Sequence, residues 1–171
     1  MTQATPPNYA TTPEELLGPA DMASMSGLEF MEGIRDGRLP APPISKTLGY
    51  TLHAVEKGRV TFRGAPGFDS TNPLGTVHGG WYGTLLDSAM ACAVQTMVPK
   101  GSAYTTLEYK INILRSIPLG MMIDCVGIAD HVGRSTGVTG VSHGEIRGVE
   151  DGRLYATGST TCIVLQLPPT R

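Results

Sequence analysis

Between Tyr104 and Arg115 apolar and polar residues alternate, with Leu107, Tyr109, Ile111 and Ile113 on one side and Thr106, Glu108, Lys110 and Asn112 on the other. A period of two is that of a β-strand with one buried face, so the pattern predicts burial for the first set and solvent for the second. Similar stretches recur near 121–131, 134–148 and 153–166, separated by Pro118-Leu119-Gly120, Val132-Gly133 and Asp151-Gly152. An Asp-Gly pair between alternating segments signals a hairpin. Upstream, 47–56 and 59–66 are rich in β-formers and meet at Lys57-Gly58, which predicts another hairpin. Over Ser26 to Arg38 the period changes: Leu28, Phe30, Met31 and Ile34 recur at helical spacing until Leu39-Pro40-Ala41-Pro42-Pro43 stops the helix.

The stretch Gly79 to Val98 has neither period. It is almost wholly apolar and rich in Gly and Ala, and it ends at Pro99-Lys100-Gly101. Gly83, Thr84, Asp87, Ser88, Gln95 and Thr96 interrupt it, so it falls short of the roughly 18 apolar residues of a membrane span and predicts an enclosed helix. One curved antiparallel sheet of about six strands, wrapped around one long central helix, would enclose it on most sides. That is an α+β architecture, the hotdog fold. Residues 1–22, a mixture of Thr, Pro, Ala and Asn without periodicity, are expected to form a flexible tail, leaving 23–171 as one domain.

Composition narrows the function classes. A chain of 171 residues with 40% hydrophobic and 16% charged residues suits one core. A net charge of -2 gives no basic footprint for nucleic acid. Cys92, Cys125 and Cys162 are odd in number and lie in apolar runs, which fits buried thiols in a reducing compartment, so the expected location is the cytoplasm. The N-terminus lacks a basic start followed by an apolar run, so no secretion signal or membrane partner is expected. His53, His131 and His143 show no metal-ligand spacing with cysteines or acids, and neither a GxSxG elbow nor a Walker loop occurs.

Candidate chemistry is concentrated between Asn72 and Asp87. Asp87 sits in the apolar helix with Gly83, Thr84, Met90 and Ala91 as its helical neighbours and no local cation. Burial disfavours a charged carboxylate and raises its pKa towards values useful for base catalysis. Gly79-Gly80 at the helix start would offer unpaired backbone N–H groups to a carbonyl oxygen. Plainer readings stand beside these: Asp87 on a solvent or subunit stripe with Thr84, Ser88, Ala91 and Gln95, His78 as a loop histidine, and Asn72 as a turn residue.

These residues resemble a known family, the hotdog-fold acyl-CoA thioesterases of the phenylacetate-degradation type. The match runs over roughly residues 40–166. It is carried by Asn72-Pro73-Leu74-Gly75-Thr76-Val77-His78-Gly79-Gly80, Leu85-Leu86-Asp87-Ser88-Ala89, Tyr104-Thr105-Thr106-Leu107-Glu108, Ile111-Asn112-Ile113-Leu114-Arg115 and His131-Val132-Gly133-Arg134-Ser135. The resemblance implies hydrolysis of an acyl-CoA thioester. In it Gly79 N–H binds the thioester oxygen, Asp87 acts as nucleophile or general base, Asn72 positions water or the carbonyl, and His78 orients the thioester. Thr106 would come from an opposing subunit, making a homodimer or a dimer of dimers (a tetramer), and Arg134 and Ser135 would meet coenzyme A phosphates. Coenzyme A is then part of the substrate, and no separate cofactor or metal is implied. Trp81 and Tyr82 depart from the family's smaller residues beside Gly80 and would shape the acyl site, or else pack under the cap. A hotdog enoyl-CoA hydratase or 3-hydroxyacyl dehydratase and a non-catalytic acyl-CoA binder are the alternatives on this fold.

Overall fold

A computed structural model describes residues 8–133 and 139–167. Three short helices, α1 (Pro19–Ala23), α2 (Gly27–Arg35) and α3 (Pro43–Leu48), precede strands β1 (Tyr50–Glu56) and β2 (Arg59–Gly64). The long helix α4 (Gly79–Gln95) follows, then β3 (Ser102–Ile113), β4 (Ile123–Val132), β5 (Thr139–Gly148) and β6 (Leu154–Gln166). The six strands form one antiparallel sheet in the order β1-β2-β4-β5-β6-β3. The hotdog architecture expected from the sequence is therefore present.

Three features differ from the pattern reading. Thr47 and Leu48, expected to open the first strand, instead end α3, because Pro42 and Pro43 favour a helix start and Gly49 closes it at φ 71°. β3 does not pair with β4; the chain crosses to the far edge, where β3 pairs β6. The crossing loop is pinned by Ile117, which is fully buried and donates its N–H to the Tyr82 hydroxyl at 2.8 Å. Third, the described part of the lead segment packs on the domain: Ala10 is buried, and Ala10 N–H donates to Ala41 O at 3.0 Å.

Leu85, Leu86, Ala89, Met90 and Ala93 of α4 fill the core against Val60, Phe62, Ile123, Cys125 and Ile146 of the sheet. The helix lies very close to β4: a Cβ on Gly127 would overlap the carbonyl oxygen of Ala89, backbone against backbone. Neither element can yield without breaking its own hydrogen bonds. Gly127→Ala is thus expected to destabilise by about 3 kcal/mol, a fall in Tm of roughly 6–12 °C. A thermal melt within 2 °C of the wild type would show that α4 and β4 are less closely seated.

β3 carries a bulge between Thr106 and Glu108. A bulge inserts one residue and reverses which side chains face inward beyond it. Tyr104 and Thr106 therefore face the helix ahead of the bulge and Tyr109, Ile111 and Ile113 face it beyond, while Leu107 points out at 56% exposure. The single alternation expected for this strand is corrected accordingly, and Thr106 reaches the interior side. Its apolar row is only partly covered: Tyr109 and Ile113 remain 47% and 46% exposed beside Gly83 and Gly79, which leave the first turns of α4 bare.

Candidate active site

The segment leading into α4 is a self-bonded loop. Asn72 Oδ1 accepts from the N–H groups of Leu74 and Thr76 at 2.9 and 3.3 Å, and its Nδ2 donates to Thr76 Oγ1 at 2.8 Å. Within the chain the Asn72 amide is thus occupied by its own turn rather than aimed at a reacting group. His78 is the N-cap of α4, and its Nδ1 accepts from Gly80 N–H at 2.8 Å. With Gly80 occupied in this way, Gly79 N–H has no hydrogen-bond partner among the described residues. A Cβ on Gly79 would meet only Ile113 Cδ1, at 3.6 Å, so packing within the chain does not require glycine there. The free donor points from the positive end of the helix dipole.

Asp87 lies at the middle of α4, half-buried, with Thr106 Oγ1 donating to its Oδ1 at 3.1 Å. Burial raises the Asp87 pKa above its ordinary 3.8, and the Thr106 hydrogen bond acts in the opposite direction. One carboxylate oxygen is held and the other is left for a water molecule or an acyl carbon. Thr106 meets Asp87 within a single chain, so the two residues form one unit of the site. The bulge at Leu107 is what turns Thr106 there.

Around Asp87, Tyr50 Oη and Ser88 Oγ hydrogen-bond each other at 3.1 Å, and Ser88 Oγ also reaches Thr84 O at 2.8 Å. Sequence reasoning gave Tyr50 no role; only its position at the start of a strand facing the helix would have signalled it. Burial pushes the neighbouring Cys92 thiol up to about 12, so it is protonated at neutral pH and is no rival nucleophile.

Gly79 and Asp87 do not meet within the chain. Eight residues of helix separate them by about 12 Å, whereas a carbonyl held by a donor at hydrogen-bond distance needs its attacker within about 3–3.5 Å. The residues flanking Gly79 and the surroundings of Asp87 also belong to different hollows. His78 and Gly80 line a small depression of about 280 Å³ together with Trp81 and Thr84. Asp87 and Thr106 line a cavity of about 1250 Å³ that extends under α1 and α2. Trp81 and Tyr82 are both buried: the Trp81 indole N–H donates to Leu48 O at 2.9 Å and the Tyr82 hydroxyl holds Ile117, and neither touches the larger cavity. Of the two readings open for them, packing describes what they do within the chain. Arg134 and Ser135 lie outside the described residues. Among the described residues no three His, Cys, Asp or Glu side chains cluster as metal ligands, and no helix is long and apolar enough to cross a membrane.

This geometry can be set beside known proteins. The family model of the thioesterase superfamily matches residues 74–142, a span holding the α4 N-terminus, Asp87 and Thr106. The structure is similar to the phenylacetic acid degradation-related protein of Ralstonia eutropha, with 27% identity and a TM-score of 0.69 over 78% of this chain and 98% of that one. With its hotdog fold and this superfamily match, the chain is similar to the hotdog thioesterases of the phenylacetate-degradation type. A thioesterase family protein of Silicibacter pomeroyi is similar at 26% identity and a TM-score of 0.66 over 72% and 90% of the two chains. A hypothetical thioesterase of Streptococcus pneumoniae, solved with coenzyme A, is similar at 25% identity and a TM-score of 0.63 over 72% and 93%. No curated protein matches in sequence. Thioester hydrolysis is accordingly the class of reaction this thioesterase performs.

Proposed function

We propose that this thioesterase hydrolyses acyl-CoA thioesters at a site made of two half-sites, Asp87 with Thr106 from one subunit and Gly79 with His78 from the partner subunit of a homodimer. The observation that carries the reading is Asp87: a half-buried carboxylate with a raised pKa, lining a large cavity, with one oxygen held by Thr106. The free Gly79 N–H about 12 Å away along the same helix is the complementary half, and a second copy is needed to bring such a donor beside Asp87. Exposed apolar residues support that assembly. Leu107, Tyr109 and Ile113 lie on the unpaired edge strand β3, and Phe68 and Leu74, 80% and 87% exposed, flank the loop before His78. An apolar edge strand is ready to pair with its own copy.

In the reaction, Asp87 removes a proton from water as the water oxygen attacks the thioester carbon, or attacks that carbon itself to form a mixed anhydride that water then hydrolyses to the free acid and the Asp87 carboxylate. The developing oxyanion accepts from Gly79 N–H, the C–S bond breaks, and the thiolate of coenzyme A leaves and takes up a proton. Backbone N–H groups suit this role because they cost no reorganisation as charge develops. His78, bonded to Gly80, fixes the turn that presents the donor. Arg134 and Ser135 are proposed as contacts for the coenzyme A phosphates.

The assay is release of free thiol from a panel of acyl-CoAs running from acetyl to hexadecanoyl and including phenylacetyl. Thiol release from at least one member, with a free acid as co-product, is the expected result. Loss of water from a 3-hydroxyacyl-CoA without thiol release would replace the proposal by a dehydratase, and binding without turnover would replace it by a carrier.

A further inference from the structure

The cavity beside Asp87 has a roof that the rest of the fold does not supply. Its floor is α4 and the adjoining strands. Its roof is built from the N-terminal part of the chain, with Leu17 and Met22 from the lead segment and Phe30 and Ile34 from α2. The roof is fastened at several points rather than merely resting there. Gly27 N–H donates to Val98 O at 3.0 Å just beyond α4, Ala10 N–H donates to Ala41 O, and a Cβ on Gly27 would overlap the Gln95 carbonyl. Ser26 caps α2 in a reciprocal arrangement with Glu29, so the roof helix is well formed at the end that meets α4.

The size and chemistry of this space select an occupant. About 1250 Å³ exceeds the roughly 300–1,000 Å³ typical of small-molecule sites, far more than an acetyl group needs. The one guanidinium on the wall, Arg35, is already bonded to Asp36 at 2.8 Å, which leaves no free cation among the described roof residues for an acidic acyl group. Trp81 and Tyr82, the bulky residues beside Gly80, do not intrude.

We propose that the N-terminal roof makes this chain selective for thioesters of long aliphatic acyl groups, with Phe30 and Ile34 setting the length accepted. The inference rests on the assignment of Asp87 to the reacting thioester, because that places the scissile carbonyl at the mouth of this cavity and its hydrocarbon chain inside. A buried methylene gains about fourfold in binding, so preference rises with chain length until the space under the roof is filled.

Two measurements separate this inference from the hydrolysis reading. In the first, kcat/KM for dodecanoyl-CoA exceeds that for acetyl-CoA by at least about a hundredfold, and Ile34→Trp, which fills the roofed space, lowers that ratio at least tenfold. In the second, the non-hydrolysable thioether S-dodecyl-CoA binds the Asp87→Asn protein at least tenfold more tightly than S-ethyl-CoA by calorimetry, and Ile34→Trp removes the preference. Hydrolysis with equal kcat/KM across chain lengths and no thioether preference overturns the roof proposal and leaves the hydrolysis reading standing. A strong thioether preference in a protein that hydrolyses nothing upholds the long-chain site and overturns the reaction. A clear optimum at phenylacetyl-CoA overturns the long-chain proposal in favour of a compact aryl group.

Discussion

Asp87→Asn is expected to reduce thioester turnover by about three orders of magnitude while the protein stays folded. Asparagine has the same shape as aspartate and keeps an oxygen for the Thr106 hydroxyl, so the 3.1 Å hydrogen bond can persist. What it loses is the ability to take a proton or attack a carbon. The pH behaviour follows from the sign of the shift. Burial raises the Asp87 pKa above 3.8, so between the unfolded and folded values the native state binds more protons than the unfolded chain. The contribution of Asp87 to stability is therefore greatest below the unfolded pKa and is lost as pH rises through the folded one. Compared with the wild type, Asp87→Asn should be relatively more stable at neutral pH than at acidic pH. Activity runs the other way, because the base form is needed: kcat of the wild type should climb through an acidic limb lying above the ordinary carboxylate range. Turnover by Asp87→Asn within tenfold of the wild type would remove Asp87 from the reaction.

Much of this arrangement was legible in the sequence because its signals are local. The apolar run from Gly79, the hairpin pairs at Lys57-Gly58 and Asp151-Gly152, and the period-two strands need only neighbouring residues to be read, and all six strands and the central helix are present. The family resemblance is likewise supported by the superfamily match over residues 74–142. What was not legible depends on contacts made far along the chain. One extra residue at the Leu107 bulge shifts the strand's parity and carries Thr106 to the helix side, something a regular alternation cannot announce. The crossover of β3 depends on Tyr82 holding Ile117, thirty-five residues away in sequence. Trp81 and Tyr82, which follow Gly80, are open in the sequence to shaping the acyl site or to packing under the cap, and only the folded chain shows both turned into the core. The roof over Asp87 draws on residues 16–22, whose composition read as a tail; Leu16, Leu17 and Met22 have partners only once α2 and the strands are in place.

The spacing of Gly79 and Asp87 carries the second large effect. Both were legible as candidates, and read as one cluster they suggest one site. Helix geometry instead sets them about 12 Å apart, and each lines or adjoins a different hollow. A homodimer that joins the two halves has two sites, each taking Gly79 from one subunit and Asp87 from the other. Gly79→Val would block approach of the thioester oxygen to the backbone, with little strain inside the chain because only Ile113 lies near that position. Each substitution alone disables both sites of its homodimer. A mixed dimer behaves differently: with Asp87→Asn on one subunit and Gly79→Val on the other, one site carries both substitutions and its twin carries neither.

The decisive measurement is therefore thiol release by a mixed dimer purified through two different affinity tags, compared with the wild type and with each single-variant homodimer. The expected result is recovery to about half the wild-type rate, since one site of two is intact, a gain of several hundredfold over the Asp87→Asn homodimer if that variant loses about three orders of magnitude. A mixed dimer no more active than its parent homodimers would contradict it, because Asp87 and Gly79 would then be serving the same thioester from within one chain.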